Sequence, residues 1–252
     1  MRTASTALLT VVTLTCLIWS AAATAELRIH GAATVARGIV EPNKAAIESE
    51  SGVGLNVVVN GSGNGLQDLV AGRADVAMIA AGLETEAKII NEANPGSLNV
   101  EALRVFAVGT STLRFIVNPA NPVKTLTEDQ LRDVLSGKIA NWKEVGGADS
   151  PVQIIIERPG QGSRASIEAG LLKDRPFAAS ARAVATLAQV PQIVAQLPNA
   201  IGYGNATSIE PDKTRVLEGL SVAQPLALVT KGEPNEEMKK IIAATAKFGT
   251  KK

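Results

Sequence analysis

Cysteine, histidine and aromatic side chains are nearly missing from this chain. One Cys, at position 16, and one His, at position 30, occur among 252 residues. Neither a disulfide framework nor a zinc-finger spacing can be written with them. There are four Phe, two Trp and one Tyr, and Trp19 falls in the N-terminal leader described below. So few rings provide no stacking platform for bases and no cage for a quaternary amine. An excess of one charge is missing too: Lys plus Arg is 25 and Asp plus Glu is 24. Arg2 is the only charge in the first 25 residues, so the remainder carries 24 of each sign and a net charge of zero. A neutral chain lacks the overall field of a nucleic-acid binder. No G-x-S-x-G elbow, no metal-ligand cluster and no phosphate-cradling G-x-x-x-x-G-K-[ST] occurs. Metalloenzyme and nucleotide-binding readings therefore have no residues to stand on, and a hydrolytic Ser-His-Asp triad would have to rest on His30 alone, at a strand end. No catalytic residue, metal or cofactor is expected.

Hydrophobic residues make up 46% and charged residues 19%, the balance of a folded chain rather than a disordered one. The length suits one large domain or two ordinary ones. The N-terminus reads as a secretory leader: Arg2, an apolar stretch from Ala7 to Trp19, and Ala23-Thr24-Ala25 as an A-x-A end. Residues 1–25 are expected to be a signal peptide cut after Ala25, which places the protein in the periplasm. The apolar run is shorter than the roughly 20 residues that span a bilayer, so no stable membrane insertion is expected after cleavage. Thr13-Leu14-Thr15 before Cys16 is a poor lipoprotein signal, and Cys16 reads as an apolar filler.

Strand-like and helical patterns alternate along the rest. Leu27–His30, Leu55–Val59 and Asp75–Ile79 read as strands; roughly Val35–Glu50, Leu66–Ala71 and Leu83–Asn94 read as helices. That order implies a parallel sheet with helices on both faces. Val100–Val108 and Leu113–Val117 read as two strands crossing into a second domain. There Thr127 and Gln130 form a capping box, Leu126 staples onto Leu131, and Gly137 stops the helix. Val152–Ile156 and Ala200–Gly204 read as strands, with a helix from about Arg164 and another over Val190–Gln196. Leu226–Thr230 is a strand, and Asn235 caps a helix over Glu236–Lys247. The expected division is 26–108 with 205–252 as one domain and 109–204 as the other, joined by paired strand crossings.

Three loops share one design: Gly31-Ala-Ala-Thr34, Gly61-Ser-Gly-Asn-Gly65 and Gly160-Gln-Gly-Ser163. Each follows an apolar strand and opens a helix. Glycine lets backbone approach a ligand closely. A helix start exposes unpaired N–H groups and a partial positive charge, which bind anions without net protein charge. Taken singly, each loop is also an ordinary strand–helix turn, with Thr34 and Ser163 as N-caps. His30 is either an anion donor or a strand-end residue with a local bond, and Arg158 either a bidentate anion ligand or a surface ion pair.

At these loops the sequence resembles the phosphate-binding proteins of bacterial ABC importers. Gly31-Ala-Ala-Thr34-Val35-Ala36 looks like that family's G-S-T-T-V-A, Asn60-Gly-Ser-Gly-Asn-Gly-Leu66 like its G-G-S-G-x-G-L, and Asp75-Val-Ala-Met78 like its D-I-A-M. The segment from Leu126 to Lys143 carries the most specific likeness. Arg158 with Gly160–Glu168 resembles R…G-S-G-T-R-A-T-F-E. The resemblance implies an α/β, two-domain, type II periplasmic-binding-protein fold, each domain a mixed sheet flanked by helices. It implies that a small phosphate-like oxyanion is held in the interdomain cleft by Ala33, Thr34, Ser62, Gly63, Arg158, Gly162 and Ser163, and that an ABC permease is the partner. The chain departs from the family at Ala32 and Ala33, at Gln161-Gly162-Ser163, and by one residue missing between Arg158 and Gly160. It departs again at Ala80 and Ala81, where the family has Ser followed by Arg or Asp. A non-transport descendant, acting as a periplasmic sensor or scaffold for a protein partner, is the alternative these departures leave open.

Overall fold

The structure, a computed structural model, describes residues 26–173 and 175–249. The expected signal peptide, its cleavage point after Ala25, and Cys16 lie outside the described residues. The first part of the chain lays down β1 (Glu26–Gly31), α1 (Ala33–Val35), α2 (Lys44–Ser51), β2 (Gly54–Val59), α3 (Ser62–Val70), β3 (Val76–Ile79) and α4 (Leu83–Ala93). β1 pairs in parallel with β2 on one side and β3 on the other. One helix was expected over Val35–Glu50. It is instead broken by a π-turn at Ala36–Val40 and a 3-10 turn at Glu41–Asn43, which contains Pro42. Proline lacks the N–H that a continuous helix needs at that point.

The second part contains β4 (Leu103–Val117), α5 (Glu128–Leu135), β5 (Gln153–Glu157), α6 (Gly162–Ile167), β6 (Arg182–Val184), α7 (Gln189–Gln196) and β7 (Ala200–Gly204). The chain closes with β8 (Arg215–Lys231) and α8 (Glu236–Lys247). Thr127 and Gln130 make the expected reciprocal capping box, and Leu126 and Leu131 share one core. Asn235 accepts from the Met238 N–H at the start of α8.

The sheets expected for two separate domains are continuous. All eight strands form one mixed sheet in the order β2-β1-β3-β8-β4-β7-β5-β6. β4 and β8 run antiparallel from Leu103 opposite Lys231 to Val117 opposite Arg215, with irregularities between Ala107 and Gly109 and between Arg114 and Ile116. The expected strands Val100–Val108 and Leu113–Val117 are thus parts of one strand, and Leu226–Thr230 is the end of another. The apolar signal lapses at the crossing because apolar Ala223 and Pro225 are exposed and polar Gln224 between them is buried, while backbone pairing continues through them.

Two lobes are defined by their cores. Leu27, Ile29, Met78, Leu226 and Leu228 pack in one, with Leu66, Ile79, Ile90 and Val229 on the other face of the same sheet. Leu113, Phe115, Trp142, Ile154, Tyr203, Leu217 and Val222 pack in the other. The packing changes partner inside β8, between Val222 and Leu226, well beyond residue 205, the expected boundary. Among the described residues no helix is long and apolar enough to cross a membrane.

Candidate functional site

The three glycine loops meet. Gly31 ends β1 at φ +140°, and its carbonyl accepts from the N–H groups of both Asn60 and Gly61. Gly65 packs so tightly on the end of β1 that a Cβ there would lie 2.6 Å from the His30 carbonyl oxygen. The second stretch is itself the first turn of α3, since the helix begins at Ser62 rather than at Leu66. The third stretch arrives from the other lobe. The Gly63 N–H donates to the Gly160 carbonyl at 3.4 Å, and the Ser62 hydroxyl faces Gly162 at the start of α6.

More bonds close this junction, one inside the first lobe and others across to the second. The Ala80 N–H donates to Ser62 Oγ at 3.1 Å, and Ser166 Oγ donates to the Ala80 carbonyl at 2.9 Å. Gln224 of β8 donates through Nε2 to Ser163 Oγ at 3.0 Å. Ser62, Ser163 and Gln224 are all buried. Small residues at 80, 81 and 162 allow this close approach: a Cβ on Gly162 would meet both Ser62 Oγ and the Ala80 side chain within 3.0 Å.

Two buried carboxyls stand beside it. Glu86 of α4 is fully buried, and neither carboxyl oxygen meets a donor at hydrogen-bonding geometry. Burial pushes it up to about 7, with the nearby Ser62 hydroxyl pulling the other way and Glu168 adding repulsion. Glu157, the last residue of β5, is also buried, and its Oε2 has no donor. Burial pushes it up to about 8, against the pull of Ser163, the Leu187 N–H, Arg164 and Tyr203. Gln224 Oε1 is likewise unpartnered. Near neutral pH Glu157 is therefore mostly protonated and Glu86 about half so, and a protonated acid can donate as well as accept.

The residues expected to bind fall into two groups. Ser62, Gly63, Gly162 and Ser163 come together at the junction. Ala33 and Thr34 are half-buried, and Thr34 lines a neighbouring cavity. Arg158 is exposed, and among the described residues only its backbone N–H is engaged, donating to the Val184 carbonyl. Successive strand side chains point to opposite faces, so the inward position at the end of β5 goes to Glu157 and Arg158 turns out. Arg164, expected on the surface, is largely buried, bonds Glu168 and the Glu157 carbonyl, and lies over the Phe177 ring. His30 makes the local bond, Nδ1 to Asp68 at 2.8 Å; Asp68 also receives Asn60 and Arg73. These donors hold Asp68 below the usual carboxylate range, His30 foremost. Asp75 braces Arg28 through two side-chain bonds.

Glu86, Glu157 and Gln224 are not among the expected residues, though the sequence carries a trace of the first and the last. Glu86 falls with Leu83, Ala87 and Ile90 on one helical stripe. Gln224 lies in phase with buried Val222, Leu226 and Leu228 along β8.

The fold and this junction define a protein of the periplasmic-binding type, and the chain matches the PBP superfamily domain over residues 20–251. It belongs to that superfamily. It is similar to the phosphate-binding protein PstS of Bacillus subtilis (strain 168), 26% identical over 211 residues that span 84% of this chain and 67% of that one. A substrate-binding protein from Clostridium perfringens with bound phosphate superimposes with a TM-score of 0.73 at 23% identity, over 87% of this chain and 92% of the other. An ABC-type phosphate transport receptor from Vibrio cholerae gives 0.67 at 24% identity, over 88% and 93%. At those identities the two structures establish the shared fold.

Proposed function

We propose that the protein is a periplasmic solute-binding protein that captures a small oxyanion, phosphate or a relative, between its lobes for an ABC importer. The observation that carries this reading is the meeting of the three glycine stretches, two of which are helix starts of opposite lobes. Each helix dipole contributes about 0.3–1 kcal/mol toward an anion, more where partly buried. The lobes touch directly, so the anion enters when they part through bending of the irregular β4–β8 ribbon. It then replaces bonds such as Gly63 to Gly160 with its own. Glu86 and Glu157, while protonated, donate to it; once ionised they repel it.

Calorimetric titration with phosphate, sulfate and arsenate at pH 6 and pH 8.5 tests the proposal. Binding of sulfate, whose own charge is constant over that range, is expected to be at least tenfold tighter at pH 6. Absence of binding by every anion at both pH values removes the reading. One observation favours the sensor or scaffold reading instead: the lobes already bond each other directly, and Arg158, the expected cation, faces solvent. Under that reading all anions fail and a protein partner is retained on immobilised, folded protein.

A further inference from the structure

A cavity of about 410 Å³ opens beside β4 and β8 where they cross between the lobes. It adjoins the first glycine stretch at Thr34 but is not lined by Ser62, Gly63, Gly162 or Ser163, where the other two stretches meet. Its walls come from both lobes: Thr34 and Ile39 from the first, Arg114, Asn205 and Thr207 from the second. Arg114 is the only charged residue in the lining. Its guanidinium has no carboxylate and no hydrogen-bond acceptor among the described residues.

Asn205 adds a second donor. It is 4% exposed, and its Oδ1 accepts from the Ser208 N–H at 3.1 Å and from Thr207 Oγ1 at 2.9 Å. A backbone N–H can only donate, so this bond fixes which end of the amide is oxygen. Nδ2 is then the free end, without an acceptor among the described residues, in a side chain that lines the cavity. Ile39, Ile209, Val216 and Leu226 supply apolar wall.

We infer that this cavity is a binding site for a small organic carboxylate with an apolar body. The carboxylate takes the fork of Arg114 and the amide of Asn205, as a planar guanidinium favours. The apolar body covers Ile39 and Leu226. Because the walls belong to both lobes, the ligand bridges them, as pockets at domain interfaces do.

Hexanoate and 1-hexanol are titrated into the full-length mature protein and into Arg114→Gln and Asn205→Asp, with heats and backbone amide shifts recorded. Hexanoate is expected to bind the parent protein. Arg114→Gln weakens it at least tenfold, and Asn205→Asp, which keeps Oδ1 but replaces the donor with a negative charge, abolishes it. Shifts centre on Thr112, Arg114 and Asn205–Thr207. No hexanoate binding, equal binding of hexanol, unchanged affinity in Arg114→Gln, or shifts centred on Ser62–Gly65 and Gly160–Ser163 would each overturn the inference. Arg114 is exposed and unpartnered, so its replacement leaves folding intact, which circular dichroism checks. Phosphate, sulfate and arsenate are titrated alongside: failure of all three with hexanoate still bound sinks the oxyanion reading and leaves this one standing.

Discussion

Ser62 and Gly162 face each other across the lobes so closely that a methyl on Gly162 would sit 2.5 Å from Ser62 Oγ. Closure depends on that missing methyl. Gly162→Ala is expected to hold the lobes apart, raising the radius of gyration in X-ray scattering and weakening oxyanion binding by tenfold or more. The added Ser62→Gly change removes the hydroxyl in the way and restores part of the closure. An unchanged scattering profile in Gly162→Ala counts against direct contact at this point.

The buried acids make stability fall with rising pH. Glu86 and Glu157 titrate near 7 and 8 in the folded chain and near 4.5 when unfolded. Between those values the folded state binds more protons. Stability is therefore full below about 4.5 and declines through the folded pKa, by roughly 1.4 kcal/mol per pH unit for each group. Glu157→Gln removes one of these dependences. Its Tm is expected to exceed the parent's at pH 8 by more than at pH 5, as scanning calorimetry at the two pH values would register.

Ser166 donates to the Ala80 carbonyl from the opposite lobe. Ser166→Ala leaves that buried carbonyl without its side-chain donor, at a cost of about 1–3 kcal/mol to the closed form. Urea unfolding should show the loss, and amide exchange around Ala80 and Ala81 should quicken more than in α8.

Thr127→Ala is a test confined to one helix end. Removing the hydroxyl that accepts from Gln130 should cost about 1 kcal/mol, seen as a lower urea midpoint with an unchanged slope.

How much was legible follows from which signals are local. The α5 capping box, the α8 cap and the short β7 run Ala200–Gly204 are written in neighbouring residues, and the structure has them in place. The β4–β8 ribbon was read as fragments because its middle is held by pairing between residues about 100 apart, with few buried side chains to mark it. The glycine stretches were legible as a type. What they meet was not: one residue's difference at the end of β5 turns Arg158 outward and Glu157 inward, and strand phase there is set by Tyr203 and Val184 on other strands. Glu86 lay on an apolar stripe where a charge is unexpected, a clue that needed the partner helix to be understood.

The long β4–β8 pairing, irregular at two points but running the length of both strands, has a mechanical consequence. A protease seeking a flexible tether between the halves finds paired backbone instead, so limited digestion should not release either half intact. Pulling on one end loads the other through the same rows of bonds. Heating should accordingly melt the molecule in a single transition rather than one half after the other.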